Sequence, residues 1–482
     1  MVALRGQIAR EPLLYGYLAL VLASLAAAAA LTSPLPLVAP VVALVALVGL
    51  RDVRLALLVT VAAIPLSTEV QFGSLGTDLP GEPLMWFVTG LTGLYYLRRS
   101  RTIDGALWRH PVTLALLLHL VWIVVTTLTS AYVLTSVKWT LAKLWYVLPF
   151  YFLAAVLLRG PGQVRRLTAF IAVPLTVVLA YCLSRHASMG FSFDLVNKAM
   201  HPFFRGHVNY AALTSILLPW LVLGALLRER GSAGRRWFWV ASVICLFAIQ
   251  TSYTRAAYVS LFIGAAFLLV VRWRLTRYAL ALAGLVVVGI GVSLVQDNRF
   301  FNFAPDYNKT VSHQDFGNLL EATYKLEDIS TMERVYRWVA GSYMAGERPE
   351  FGFGPGNFYR FYKGYALESF RTYVSDNPDK SGIHSYLLML LVEQGWVGLL
   401  VFVGLCVAGI MTVERAFHRL REREDRLVIM AAGASLVINL SFQLINDLIE
   451  SDKSGPWLFL SLAIIVALDV KARRLPHRES AA

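Results

Sequence analysis

Hydrophobic residues in this chain are grouped into long unbroken blocks, and the polar residues fall mostly between them. The blocks run over 13–31, 35–50, 55–72, 84–97, 111–130, 139–158, 167–185, 207–227, 238–254, 256–271, 279–296, 385–413, 427–446 and 456–470. An apolar run of about 17 to 25 residues crosses the hydrocarbon of a bilayer as a helix. Backbone in lipid can satisfy its polar groups only in a helix or a closed barrel, and continuous runs without period-two alternation select helices. The pattern predicts an all-α polytopic membrane helix bundle of 12–14 transmembrane helices, with twelve preferred. Blocks 35–50, 84–97 and 456–470 are short for a full crossing, so pairs near the N-terminus can be re-entrant or interfacial.

Between blocks 279–296 and 385–413 lies the one long polar stretch, and it divides the chain into three parts. These are an N-terminal transmembrane bundle (1–296), a large loop (297–384), and C-terminal transmembrane helices with a short tail (385–482). The loop is too long to be a mere connector. Within it, ERVYRWVAGSYMAGERP (333–349) places Val335, Trp338, Val339 and Tyr343 near helical spacing, which predicts a short helix lying at the membrane surface. Pro349 and FGFGPGNF (351–358) then predict a tight turn or a close approach to a ligand. A nucleotide phosphate loop is disfavoured there, because the segment lacks the Lys and Ser/Thr of such a loop and no strand precedes it.

Composition agrees with a membrane protein: 57% of the 482 residues are hydrophobic and 15% charged, more apolar sequence than one soluble core can bury. The net charge of +14 is mostly a topology signal. Segments 1–12, 51–54, 98–110, 159–166, 228–237, 272–278, 414–426 and 471–482 hold 27 of the 44 Lys and Arg residues, which puts them and both termini in the cytoplasm. This distribution gives no reason to invoke nucleic acid. The first block reads as an uncleaved membrane helix rather than a signal peptide. Cys182, Cys245 and Cys406 lie inside apolar blocks without C-x-x-C spacing, so neither disulfides nor a zinc site is expected.

Outside the loop, seven basic residues fall on the opposite, non-cytoplasmic side: Lys138, Lys143, Arg185, Lys198, Arg205, Arg255 and Lys453. Arg255, in TSYTRAAYVS, sits between two apolar blocks with almost no loop. It either snorkels to headgroups or presents a planar fork to a phosphate. Arg205, in HPFFRGHVNYAAL, precedes a block beside His207 and Asn209, and Arg334 lies in the loop near Glu333 and Glu327. His384 opens the next block, and imidazole is the side chain whose ordinary pKa suits proton transfer near neutrality. A polar stripe of Asn439, Gln443, Asn446 and Glu450 recurs at helical spacing and predicts one inward-facing side of a span. Glu393, more than two turns beyond His384, reads as a buried structural carboxylate.

The ordered set R-x-x-x-N (205–209), T-R-A-A (254–257), E-R-x-x-R-W (333–338), G-F-G-P-G-N-F (352–358) and H-S-Y-L-x-x-L-x-E-x-G-x-x-G (384–398) resembles the O-antigen ligase and polymerase superfamily over about 205–413. Members commonly show His-Asn-Tyr in the last block; here Ser385 replaces the Asn. Within the superfamily the chain looks most like the O-antigen ligases of lipopolysaccharide assembly. Polymerases typically carry two large periplasmic loops and this chain shows one.

The resemblance implies a GT-C-like membrane glycosyltransferase of the bacterial inner membrane, with a periplasmic active site. Its donor would be a glycan on undecaprenyl diphosphate and its acceptor the lipid A-core oligosaccharide. His384 would be the catalytic base, Arg255 and Arg334 would bind the donor diphosphate with Arg205 assisting, and Tyr386 and Asn209 would support them. No Asp-x-Asp occurs, so the expected reaction is metal-independent, without cofactor, and inverting. The alternatives are a polymerase of the same superfamily, and a polytopic lipid or solute transporter, although no internal repeat is visible.

Overall fold

The structure, a computed structural model, describes residues 11–30, 32, 38–72, 75–99, 103–295, 329–370, 375–377 and 381–475. The N-terminal part contains α1 (Glu11–Ala30), α2 (Val38–Arg51), α3 (Val53–Leu66) and α4 (Gly81–Arg99). There follow α5 (Pro111–Leu128), α6 (Val133–Val147, continued through a π-helical segment to Leu157) and α7 (Pro161–Ser188). Next come α8 (His207–Leu226), α9 (Ala233–Gln250), α10 (Arg255–Arg272) and α11 (Thr276–Val295). Beyond the large loop's helix α12 (Ile329–Glu347) lie α13 (Tyr386–Arg419), α14 (Arg423–Phe442) and α15 (Gly455–Arg473). Among the described residues, α5, α6 with its continuation, α7, α8, α10, α13, α14 and α15 are long and apolar enough to cross a membrane, and shorter apolar stretches occupy α1, α2, α3 and α11.

Successive helices turn back on themselves, and small residues let them approach. A Cβ on Gly264 of α10 would meet Ile438 of α14, and one on Gly433 of α14 would meet Phe267 of α10, which defines an antiparallel crossing. α15 is the innermost span, buried along nearly its whole length against α13 and α14. The outer helices expose apolar stripes instead. On α5, Leu114, Leu118, Val121, Val124 and Leu128 all face outward at helical spacing, the surface expected of a helix bathed in lipid.

Three sequence expectations change. Block 55–72 is not one helix: α3 stops at Leu66, and Thr68–Phe72 (β1) pairs antiparallel with Leu75–Leu79 (β2). The alternation Glu69, Val70, Gln71, Phe72 is a period-two strand signal at the end of an apolar run, so the all-α expectation gains a two-stranded hairpin. Lys453 fixes this exit, its Nζ donating to the carbonyls of Ile64 (2.8 Å), Pro65 (3.3 Å) and Ser67 (2.6 Å).

The polar stripe is not one helical face either, because α14 ends at Phe442 and Asn446 and Glu450 belong to the following loop. In α12 the inward side is rotated from the expected one. Tyr336, Val339, Ala340 and Met344 are buried while Tyr343 is exposed, because the helix packs its face on α13 rather than lying free on a surface.

Candidate functional site

The alternation of the helices brings one set of turns to a single end of the bundle. It comprises the β1–β2 hairpin, the 129–132 turn, the segment before α8, the turn between α9 and α10, the described part of the large loop, and the loop between α14 and α15. All of the candidate residues lie at this end.

His384 sits two residues before α13 in left-handed backbone, φ 57, a conformation uncommon for any residue with a Cβ. Several bonds impose it. Ser385 N-caps α13, and the Tyr386 N–H donates to the carbonyls of Gln443 (2.9 Å) and Asn446 (3.0 Å). The His384 backbone N–H faces the Asp447 carboxylate, whose pKa it lowers. Gly382 packs so closely on Asp447 that a Cβ there would collide with the carboxylate oxygen, and Arg337 Nη1 donates to the Gly382 carbonyl at 3.1 Å. Glu333 steadies Arg337 from one turn earlier on α12, at 3.3 Å, and accepts from Ser375 Oγ at 2.6 Å.

The imidazole is therefore half-buried, with two guanidinium groups acting on it. Burial, then the positive charges of Arg334 and Arg337, push its pKa down to about 3, so the imidazole is neutral at neutral pH and only weakly basic while those charges stand unopposed. Arg334 and Arg337 lie three residues apart on α12, hence on one face. Burial raises the Asp447 carboxyl, and the Arg337 charge opposes that rise.

Tyr386 lies beneath this segment, fully buried. Lys143 of α6 donates to Glu450 Oε1 at 2.6 Å and to Tyr386 Oη at 3.4 Å, which explains a lysine that charge counting leaves on the less basic side. Tyr386 thus anchors the start of α13 from below.

Arg255 is the first residue of α10, and Thr254 before it donates to the His207 carbonyl at 3.5 Å, which joins the starts of α8 and α10. Extending the antiparallel α10–α14 crossing from Gly264 back toward Arg255 runs to the end of α14 at Phe442, from which the loop carrying Asp447 departs. Asn209, in the first turn of α8, is half-buried at the same end. Arg205 is engaged differently: it is largely exposed and makes a bidentate ion pair with Glu69 of the hairpin, at 2.6 and 2.7 Å.

The glycine-rich segment closes onto a break in α13. Gly395 has φ 69, and a Cβ there would strike the Glu350 carbonyl, so this position requires glycine. Phe353 N–H donates to the Val392 carbonyl and Gly354 N–H to that of Glu393, each at 2.9 Å. The Glu393 carboxylate accepts the N–H groups of Gly356 (2.8 Å) and Phe358 (3.0 Å). Those amides are the donors a phosphate cradle would use, and Glu393 occupies them, in keeping with its reading as a structural carboxylate.

Arg337 and Asp447 join the site without being among the sequence-predicted residues. Arg337 was findable, as the second arginine of E-R-x-x-R-W one turn from Arg334. Asp447 carried no local signal. Among the described residues, no group of three or more His, Cys, Asp or Glu is arranged to hold a metal ion.

These features describe a polytopic membrane protein with a neutral imidazole, two arginines and a half-buried carboxylate gathered at one end of its bundle. Residues 240–403, from α9 into α13 and including Arg255, Arg334 and His384, match the O-antigen ligase family model. Its members are membrane glycosyltransferase-like ligases. No curated protein matches the chain.

Proposed function

We propose that this protein is an O-antigen ligase acting at the periplasmic face of the bacterial inner membrane, with both termini in the cytoplasm. It transfers a polysaccharide from undecaprenyl diphosphate to a hydroxyl of the lipid A-core oligosaccharide. The reading rests on the O-antigen ligase match and, above all, on one observation: Arg334 and Arg337 direct their charge onto a neutral His384 whose backbone is locked in place.

In the proposed step, the acceptor oxygen attacks the anomeric carbon and its proton passes to the imidazole of His384. The bond from the anomeric carbon to the diphosphate oxygen breaks, and its electron pair leaves with the lipid diphosphate. One displacement inverts the anomeric centre. Arg334 and Arg255 receive the diphosphate, where preformed cations in a low-dielectric site stabilise the developing charge. A bound diphosphate also offsets the guanidinium charges that depress His384, so donor binding raises the basicity of the imidazole when it is needed. Tyr386 and Asn209 support this arrangement, and Arg205 reaches the donor only by exchanging Glu69 for a phosphate.

The test is reconstitution of the purified full chain with undecaprenyl diphosphate-linked glycan and lipid A-core, without nucleotide. A product containing both glycan and lipid A-core is expected, and the His384→Ala protein should not form it. Lengthening of glycan on the lipid carrier would instead identify a polymerase, and transfer by His384→Ala at the wild-type rate would remove the base.

A further inference from the structure

The start of α6 and the segment after the glycine-rich turn enclose a second feature that the transfer chemistry does not use. Thr135, Gly356, Tyr359, Arg360 and Lys363 line a cavity of about 450 Å³, open on one side. None of the five is acidic. Both cations are held by neighbours: the Arg360 guanidinium lies 3.9 Å from the centre of the Tyr132 ring, and Lys363 Nζ donates to the Asp376 carbonyl at 3.0 Å. Lys138, exposed and three residues after Thr135, adds a third cation on the same side of α6.

The walls are fixed as well. Ser136 Oγ donates to the Pro355 carbonyl at 2.8 Å, Asn357 Nδ2 donates to Ser130 Oγ at 2.8 Å, and Gly356 packs so closely on the Trp139 indole that a Cβ would collide with it. Immediately beside the cavity, α6 exposes Val133, Leu134, Val137 and Leu141, an apolar stripe that points away from the bundle. A concave cluster of oriented cations whose lining residues include none that is acidic calls for an anion, and an outward apolar stripe starting at its rim calls for an acyl chain.

We infer that the cavity between α6 and residues 356–363 binds the phosphate of a lipid headgroup, with the lipid's tails along the exposed face of α6. The inference does not depend on His384 or on glycan transfer. A free phosphate offers the same anion chemistry without tails, so the experiment separates the two sources.

Purified full chain in a neutral detergent is titrated with dihexanoyl phosphatidic acid, with dihexanoylglycerol (the same tails without phosphate) and with inorganic phosphate. Phosphatidic acid should bind, more weakly as salt is raised, and Arg360→Gln/Lys363→Gln should weaken it about fivefold or more, while Arg360→Lys/Lys363→Arg stays within about twofold. Dihexanoylglycerol should bind the wild type and the Gln variant equally weakly. Should the double variant fail to fold, Lys363→Gln alone, at an exposed position, must show loss in the same direction. Equal phosphatidic acid affinity in wild type and folded Gln variants overturns the inference. So does inorganic phosphate that binds as tightly as phosphatidic acid, which assigns the cavity to a free anion.

Discussion

The carboxylate of Asp447 lies beside the backbone N–H of His384, joining the loop between α14 and α15 to the residue that opens α13. His384 has φ 57 at this contact, and Gly382 packs on the same carboxylate while Arg337 holds the Gly382 carbonyl. Backbone held in a sparsely populated region persists only where its surroundings over-determine it, and here three segments do so. Asp447→Ala should therefore lower kcat for glycan transfer about tenfold or more while KM for the donor changes little, since the carboxylate aims the imidazole without meeting the donor. A variant whose KM rises at constant kcat would place Asp447 in donor binding instead.

The depressed pKa of His384 gives two pH signatures. The folded protein keeps the imidazole neutral down to about pH 3, whereas in the unfolded chain it takes a proton near its ordinary value of about 6.5. Above that value neither state is protonated and the group contributes nothing. As pH falls from there toward 3, the unfolded chain binds a proton that the folded one refuses, so stability is lost. Thermal unfolding of His384→Gln in detergent should accordingly lose less stability than wild type between pH 6.5 and 4; a constant gap across that window contradicts the assignment. For the transfer reaction, the acid limb of kcat should lie at higher pH than that of kcat/KM, because bound diphosphate offsets the two arginines.

Arg334→Lys and Arg255→Lys each keep a positive charge but lose the planar fork. Both proteins should accumulate in membranes normally, with transfer reduced about tenfold or more. Full activity of either would limit that residue to a point charge or to headgroup contact.

Glu393 accepts two backbone N–H groups of the glycine-rich segment, so Glu393→Gln replaces one acceptor by a donor facing a donor. The expected cost is about 1 to 3 kcal/mol of stability, read as a lower Tm and faster proteolytic nicking near residues 351–358. A catalytic carboxylate would behave oppositely, losing activity with the Tm unchanged.

Lys143 and Glu450 form a pair whose side chains are 4% and 9% exposed. Removing one partner strands a charge, and Lys143→Met should cost about 3 to 5 kcal/mol, with much of the loss recovered in Lys143→Met/Glu450→Gln. Equal stability of the single and double variants would show that the charges are solvated.

Length and order of the apolar blocks determined the helical architecture, because crossing a bilayer depends on contiguous residues, and α5, α7, α8 and α10 are read directly from their runs. The motifs around Arg255, Arg334 and His384 were likewise local, and they carried the resemblance to O-antigen ligases that the family match supports. Only the tertiary structure decided that Arg205 faces Glu69, that Glu450 lies off α14 beside Lys143, and that Asp447 lies against His384. The choice of partner for a charged side chain depends on which distant segments desolvate it together. No spacing along the chain records that, whereas helix formation in an apolar run is settled within the run itself.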